Sequence, residues 1–172
     1  LHGDMSEEEM TALYRHPKIK SLVNISHGEG FGLPLFEAAY NGLPVITLAY
    51  GGQCDFLYMP VKDKKGKVKN KPMFSMVSFD MGQVQAEAVW DGVIQKDSQW
   101  AFAKEWDYKK TLRTVHKNVS ASKSKAKKLQ KYVQKEFSEE VQYKKFCDSV
   151  MEDQKLIEDK VDGLYESLVA QL

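Results

Sequence analysis

Two glutamates, Glu29 and Glu37, bracket a glycine-rich turn in the stretch Ser26-His-Gly-Glu-Gly-Phe-Gly-Leu-Pro-Leu-Phe-Glu37. Gly28, Gly30 and Gly32 remove side chains, so a ligand can approach the main chain closely. Pro34 suits the first turn of a helix, which places the amides of Phe31, Gly32 and Leu33 at a helix N-terminus, a favourable site for phosphate. A carboxylate touching a phosphate would repel it. An ionised carboxylate is an acceptor only, however, and so is suited to sugar or ribose hydroxyls. Two carboxylates flanking one anion-binding turn therefore point to a phosphorylated sugar or nucleotide. His27, beside the turn, can donate to a phosphate or cap the strand end. Glu37 has the plainer alternative of a solvated helix face, and Phe31 and Leu35 that of packing under the turn.

The elements that must position this turn are short and strongly punctuated. Ser6 and Glu9 form a capping box with Met5 and Met10 at the staple positions. Met10, Leu13 and Tyr14 make one apolar stripe, and Pro17 stops the helix. Residues 20–26 read as a strand, residues 34–41 as a helix closed by Gly42, and residues 44–48 as a second strand ended by Gly51-Gly52. Apolar strands alternating with helices predict a parallel α/β sheet, Rossmann-like, with helices on both faces. The turn then lies at the carboxyl edge, where ligands of such sheets bind.

Farther along, a Lys-rich hairpin is expected at 61–72 and a strand near Met73–Phe79. An irregular stretch carrying Trp90, Trp100 and Trp106 follows. From Asp107 the chain reads as helices, the last N-capped by Ser138. Ile157, Val161, Leu164 and Leu168 form a short heptad-like seam on it, a surface for self-association or for docking on a neighbouring chain. The expected division is 1–106, a partial Rossmann-like domain, and 107–172, a helical carboxyl-terminal extension packing on it or on a partner.

The 172 residues carry a formal charge of +1, with 42% hydrophobic and 28% charged residues, as expected of a folded domain. That neutrality hides segments of −4 (1–60), +11 (61–135) and −6 (136–172). The positive charge lies mainly in Lys62–Lys71 and Lys123–Lys135. Without interleaved aromatic residues for base stacking these read as solvated faces, and no nucleic acid is expected. No apolar run is long enough for a membrane span. Cys54 and Cys147 make neither a disulfide framework nor a zinc pattern, and Cys54 reads as inert. A cytoplasmic setting is expected, with a peripheral place at a membrane surface left open. The chain begins at Leu1 inside a helix lead-in, so a fragment of a longer protein is expected.

Glu29 through Pro34, with Glu37-Ala38, closely resembles the donor-site motif of family-four glycosyltransferases with the GT-B fold. The resemblance continues through Gly42-Leu-Pro-Val-Ile46 and Gly51-Gly52, and covers Ser6–Tyr14 upstream. More loosely, Trp100-Ala101 and the helix from Asp107 resemble the end of that family's carboxyl-terminal domain. The resemblance implies that residues 1–106 are the nucleotide-sugar donor-binding part, that Glu29 lies against the donor sugar as the catalytic candidate and that Glu37 holds ribose hydroxyls. The amides of Phe31, Gly32 and Leu33 would approach sugar and diphosphate. Donor-binding candidates are thus His27, Gly28, Gly30, Phe31, Gly32, Leu33 and Glu37. The implied reaction is sugar transfer with retention from a nucleotide diphosphate sugar, as substrate, to an unknown hydroxyl acceptor. No cofactor and no metal is expected, since no Asp-x-Asp pair occurs. An acceptor-binding amino-terminal domain would be the missing partner. Gln53-Cys54-Asp55 departs from the family's usual run, which ends in Glu. A nicotinamide site is disfavoured, because the glycines do not fit G-x-G-x-x-G and no acid ends the next strand. A P-loop is excluded because no Gly-Lys-Ser/Thr follows the glycines. A donor-domain relic that binds a nucleotide or partner without catalysis is the alternative.

Overall fold

The structure is a computed structural model that describes residues 3–169; in the last helix beyond Met151 it describes the side chains of Gln154, Ile157, Lys160 and Val161. The chain divides into two compact units, residues 1–133 and 134–172.

The first unit opens with α1 (Glu7–Arg15), capped as the sequence predicts. The Ser6 N–H donates to Glu9 Oε2 at 2.9 Å, and the Glu9 N–H donates to Ser6 Oγ at 3.3 Å. Next come β1 (Leu22–Asn24), α2 (Leu33–Tyr40) and β2 (Val45–Leu48). After α3 (Cys54–Leu57), a hairpin forms from β3 (Tyr58–Lys62) and β4 (Val68–Pro72), followed by β5 (Ser75–Val77). The strands β1, β2 and β5 make one parallel sheet with β2 in the middle. All four residues of β2 are buried, as a central parallel strand covered on both faces requires. Ile46 and Leu48 share a core with Val77, Ala101 and Val115. Each Val, Ile or Leu side chain there contributes about 1.5–3 kcal/mol by leaving water. This is the mixed α/β, Rossmann-like arrangement the sequence predicts, with helices flanking the sheet.

The Lys-rich hairpin is present and begins earlier, at Tyr58. Asp63 Oδ1 accepts the amides of Lys65 and Lys67 at 2.8 and 3.0 Å, which shapes its tip. The stretch expected to be irregular is so between residues 84 and 98, apart from a short 3₁₀ turn at Ala86–Ala88, but its two ends pair as the root of an antiparallel arm. In it β6 (Phe79–Gln83) pairs with β7 (Gln99–Ala103), from Phe79↔Ala103 to Gln83↔Gln99, and a Trp90↔Ile94 bridge closes the far end. Gly82 shares a face of β6 with Asp80, where close packing leaves no room for a side chain. A Cβ there would meet the Phe102 ring at 3.1 Å. Trp100 lies in β7, and Trp106 in α4 (Glu105–Lys117), which packs along β5. α5 (Val119–Glu136) follows, burying Ala126, Leu129 and Val133.

In the second unit Ser138 caps α6 (Glu139–Val169), its Oγ accepting the Val141 amide at 3.4 Å. Tyr143, Phe146, Val150, Ile157 and Val161 are exposed within this unit. Of the predicted seam, the side chains of Leu164 and Leu168 lie outside the described residues. No helix among the described residues is long and apolar enough to cross a membrane.

Candidate functional site

The chain leaves β1 at Asn24, and that residue organises the turn. Its Oδ1 accepts the Ser26 amide at 2.8 Å, and its Nδ2 donates to Glu29 Oε1 at 2.7 Å. The Ser26 hydroxyl donates to the same oxygen at 2.9 Å. Two neutral donors thus fix one carboxylate oxygen of Glu29 and leave the charge uncancelled. Hydrogen bonds to an ionised acceptor are among the stronger ones, so the orientation of Glu29 is set before any ligand arrives.

A second glycine turn clasps the first. The Gly52 amide donates to the Glu29 carbonyl at 3.0 Å. A Cβ on Gly52 would lie 1.9 Å from the Gly30 carbonyl oxygen, and one on Gly51, whose φ is +99°, would lie 2.8 Å from that of Glu29. By contrast, a Cβ on Gly30 would meet nothing within 4 Å. Behind both turns lies Gln53, 2% exposed, whose Nε2 donates to the carbonyls of Leu48 and Tyr50 while its Oε1 is buried without a partner. Gln53 therefore has a structural role, tying the end of β2 to the glycine turns.

His27 is engaged with the β6–β7 arm. Its Nδ1 faces the Ala101 carbonyl at 2.9 Å and so donates to it, while the Ala101 amide donates back to the His27 carbonyl at 3.2 Å. The imidazole stacks on Trp100, with centroids 4.9 Å apart and planes 8° from parallel. The backbone then turns into α2 through Gly32, in the left-handed region at φ +84°, with no side chain capping the helix. Pro34 stands in the first turn, as expected. Leu35 is fully buried beneath it, whereas Phe31 is 44% exposed and rests its ring against Phe36 and Phe56.

Glu37 lies elsewhere on the same helix. Together with Leu33 it lines a cavity of about 490 Å³ whose walls include Met5, Met10, Tyr14, Phe36 and Tyr40. The Tyr14 hydroxyl donates to Glu37 Oε2 at 2.9 Å. Burial, the bond to Glu37 and the Glu37 charge together push the Tyr14 phenol up to about 12. The structure thus separates the candidates into two groups. Glu29, Gly28 and Gly30 belong to the clasped turn with His27, and Glu37 to the α1–α2 cavity, with Leu33 at the join. Sequence reasoning missed Tyr14, which reads only as part of an apolar stripe, and Gln53. Cys54 is half-buried, and burial and the neighbouring Asp55 push its thiol up, consistent with an inert residue. Among the described residues, no group of three or more His, Cys, Asp or Glu could hold a metal ion.

A family model described as Glycosyl transferases group 1 matches residues 1–66. No curated protein and no solved structure matches the chain. The matched stretch holds α1, β1, the clasped turn, α2, β2 and α3, and with them both glutamates and every donor-binding candidate. The match supports glycosyl transfer as the general chemistry of this segment.

Proposed function

We propose that the chain supplies the donor-binding part of a retaining glycosyltransferase that moves a sugar from a nucleotide diphosphate sugar to a hydroxyl acceptor. The observation that carries this reading is the matched handling of the two glutamates. Each is held at one carboxylate oxygen by neutral donors, Glu29 by Asn24 and Ser26 and Glu37 by Tyr14, on either side of the uncapped start of α2. Glu37 and the apolar walls of its cavity would take the nucleoside, its second oxygen accepting ribose hydroxyls. The amides of Phe31, Gly32 and Leu33 would face the diphosphate. Charge develops there as the sugar leaves, and preorganised donors at such a position are a large source of rate enhancement. Glu29 would orient the sugar. No metal enters this reading.

One observation favours a second reading. The charged side chains lining the cavity, Glu7 and Glu37, are both acidic. With no cation in the lining to stabilise a departing diphosphate, this fits a module that takes the hydroxyls of a nucleotide or the basic groups of a partner and does not itself turn over. Calorimetry with nucleoside diphosphates, followed by donor hydrolysis and transfer assays with and without chelator on a chain that also carries the acceptor-binding domain, separates the two. Binding with metal-independent turnover supports the transferase, binding without turnover supports the module, and no nucleotide binding overturns the transferase and the nucleotide-binding form of the module.

A further inference from the structure

We propose that a small cleft at the opposite end of α1 and α2 from the glycine turn is a binding site for a single phosphate group. The cleft, about 160 Å³, is lined by Arg15 and His16 at the end of α1, by Asn41 and Gly42 at the end of α2, and by Lys123 and Lys127, one turn apart on α5. No acidic side chain lines it, and none of its basic residues forms an ion pair among the described residues.

Helix ends alone do not account for this charge. The carboxyl ends of α1 and α2 contribute roughly half a negative charge each, against three permanent cations, so a surplus of about two positive charges stays in a concave site. The last carbonyl of α2, that of Tyr40, already accepts Gln130 Nε2 at 3.1 Å and needs no lysine. Donor geometry is partly set as well. Arg15 Nε donates to Asn41 Oδ1 at 2.8 Å, which fixes the guanidinium plane. His16 Nδ1 accepts the Lys18 amide at 3.2 Å, which puts the proton of the neutral ring on Nε2. A planar guanidinium fork, an imidazole donor and two ammonium groups match the oxygens of a phosphate. The volume is about a third of the Glu37 cavity, sized for a phosphate group and not for a nucleoside. This inference does not depend on the donor-site reading.

The test is a titration of the 172-residue chain with inorganic phosphate, followed by amide NMR shifts at ionic strength held constant with chloride. In a second arm the chain is sedimented with neutral vesicles with or without phosphatidic acid. Saturable shifts at the amides of Gly42 and Leu43, weakened at least tenfold by Lys123→Gln with Lys127→Gln and restored by arginine at both positions, are expected. A response to free phosphate identifies a soluble source. A response confined to phosphatidate vesicles and lost in the double variant identifies a lipid headgroup, and either supports the site. Three results would overturn it: no response in both arms, an equal response to chloride, or equal weakening by Lys64→Gln with Lys65→Gln in the exposed hairpin.

Discussion

The Tyr14 hydroxyl donates to Glu37 Oε2 at 2.9 Å, joining α1 to α2 across a cavity whose other walls are largely apolar. The bond gives Glu37 one committed oxygen and one available oxygen. It also ties a buried phenol to a fixed charge.

That phenol makes stability depend on alkaline pH. Its folded pKa, about 12, lies above the ordinary 10.0. The contribution is therefore complete below pH 10 and is lost as pH rises toward 12, because the unfolded chain releases its proton first. Urea unfolding of the wild type and Tyr14→Phe across this range should show the wild type losing more stability. Lysine and other tyrosine titrations cancel in the difference. Parallel curves would show that the phenol has its ordinary pKa in the folded chain, against both its burial and its bond to Glu37.

Glu37→Ala should weaken nucleoside diphosphate binding at least tenfold, equivalent to about 1.4 kcal/mol. The variant should also lose preference for the ribose over the 2′-deoxyribose form, since the missing acceptor is the one assigned to ribose. Calorimetry with both forms measures this. Tyr14→Phe should reduce the same preference without abolishing binding.

The glycines of the two turns should respond differently. Gly52→Ala drives a methyl group into the Gly30 carbonyl and should cost at least the ~1–3 kcal/mol typical of overpacking, seen as a lower thermal midpoint. Gly30→Ala meets open space and should be neutral within ~0.5 kcal/mol. It should still impair donor binding if a ligand approaches the main chain there. A destabilised but fully binding Gly30→Ala would reverse the assignment.

At acid pH the sensitive contact is on α4. Asp107 Oδ2 accepts the Ser78 hydroxyl and, at 2.7 Å, the Ser78 amide, which holds the carboxyl below its usual range. A depressed folded pKa stabilises above the unfolded value and is lost as pH falls through the folded one. Asp107→Asn should therefore lower stability at neutral pH and flatten the decline as pH falls below 3.8. Chemical unfolding at several pH values checks both effects.

The parts legible in the sequence are those fixed by local chemistry. Ser6 and Glu9, Pro34, and Gly42 after Asn41 mark α1 and α2 by rules that operate within one turn of helix, and the apolar run at 45–48 marks a covered strand. What stayed hidden depends on distant partners. The β6–β7 pairing joins residues across a long connection, and Gln83 stands where the alternation of Phe79 and Met81 calls for an apolar residue. The environment of His27 is set by Ala101, 74 positions away, and the hydroxyl partner of Tyr14 by Glu37, 23 positions away. No periodicity encodes either contact. The glutamates were visible as a pair, but their separation into a clasped turn and a helix-lined cavity required the fold.

The paired hydrogen bonds between His27 and Ala101 also have a mechanical meaning. The arm of β6 and β7 extends from the sheet to the Trp90–Ile94 bridge, and its root is fastened two residues before Glu29. It is a handle whose short end is the glycine turn. A pull applied at Trp90 would arrive at Ala101, whose hydrogen bonds pass it to the turn at His27 while its side chain passes it to the core shared with β2.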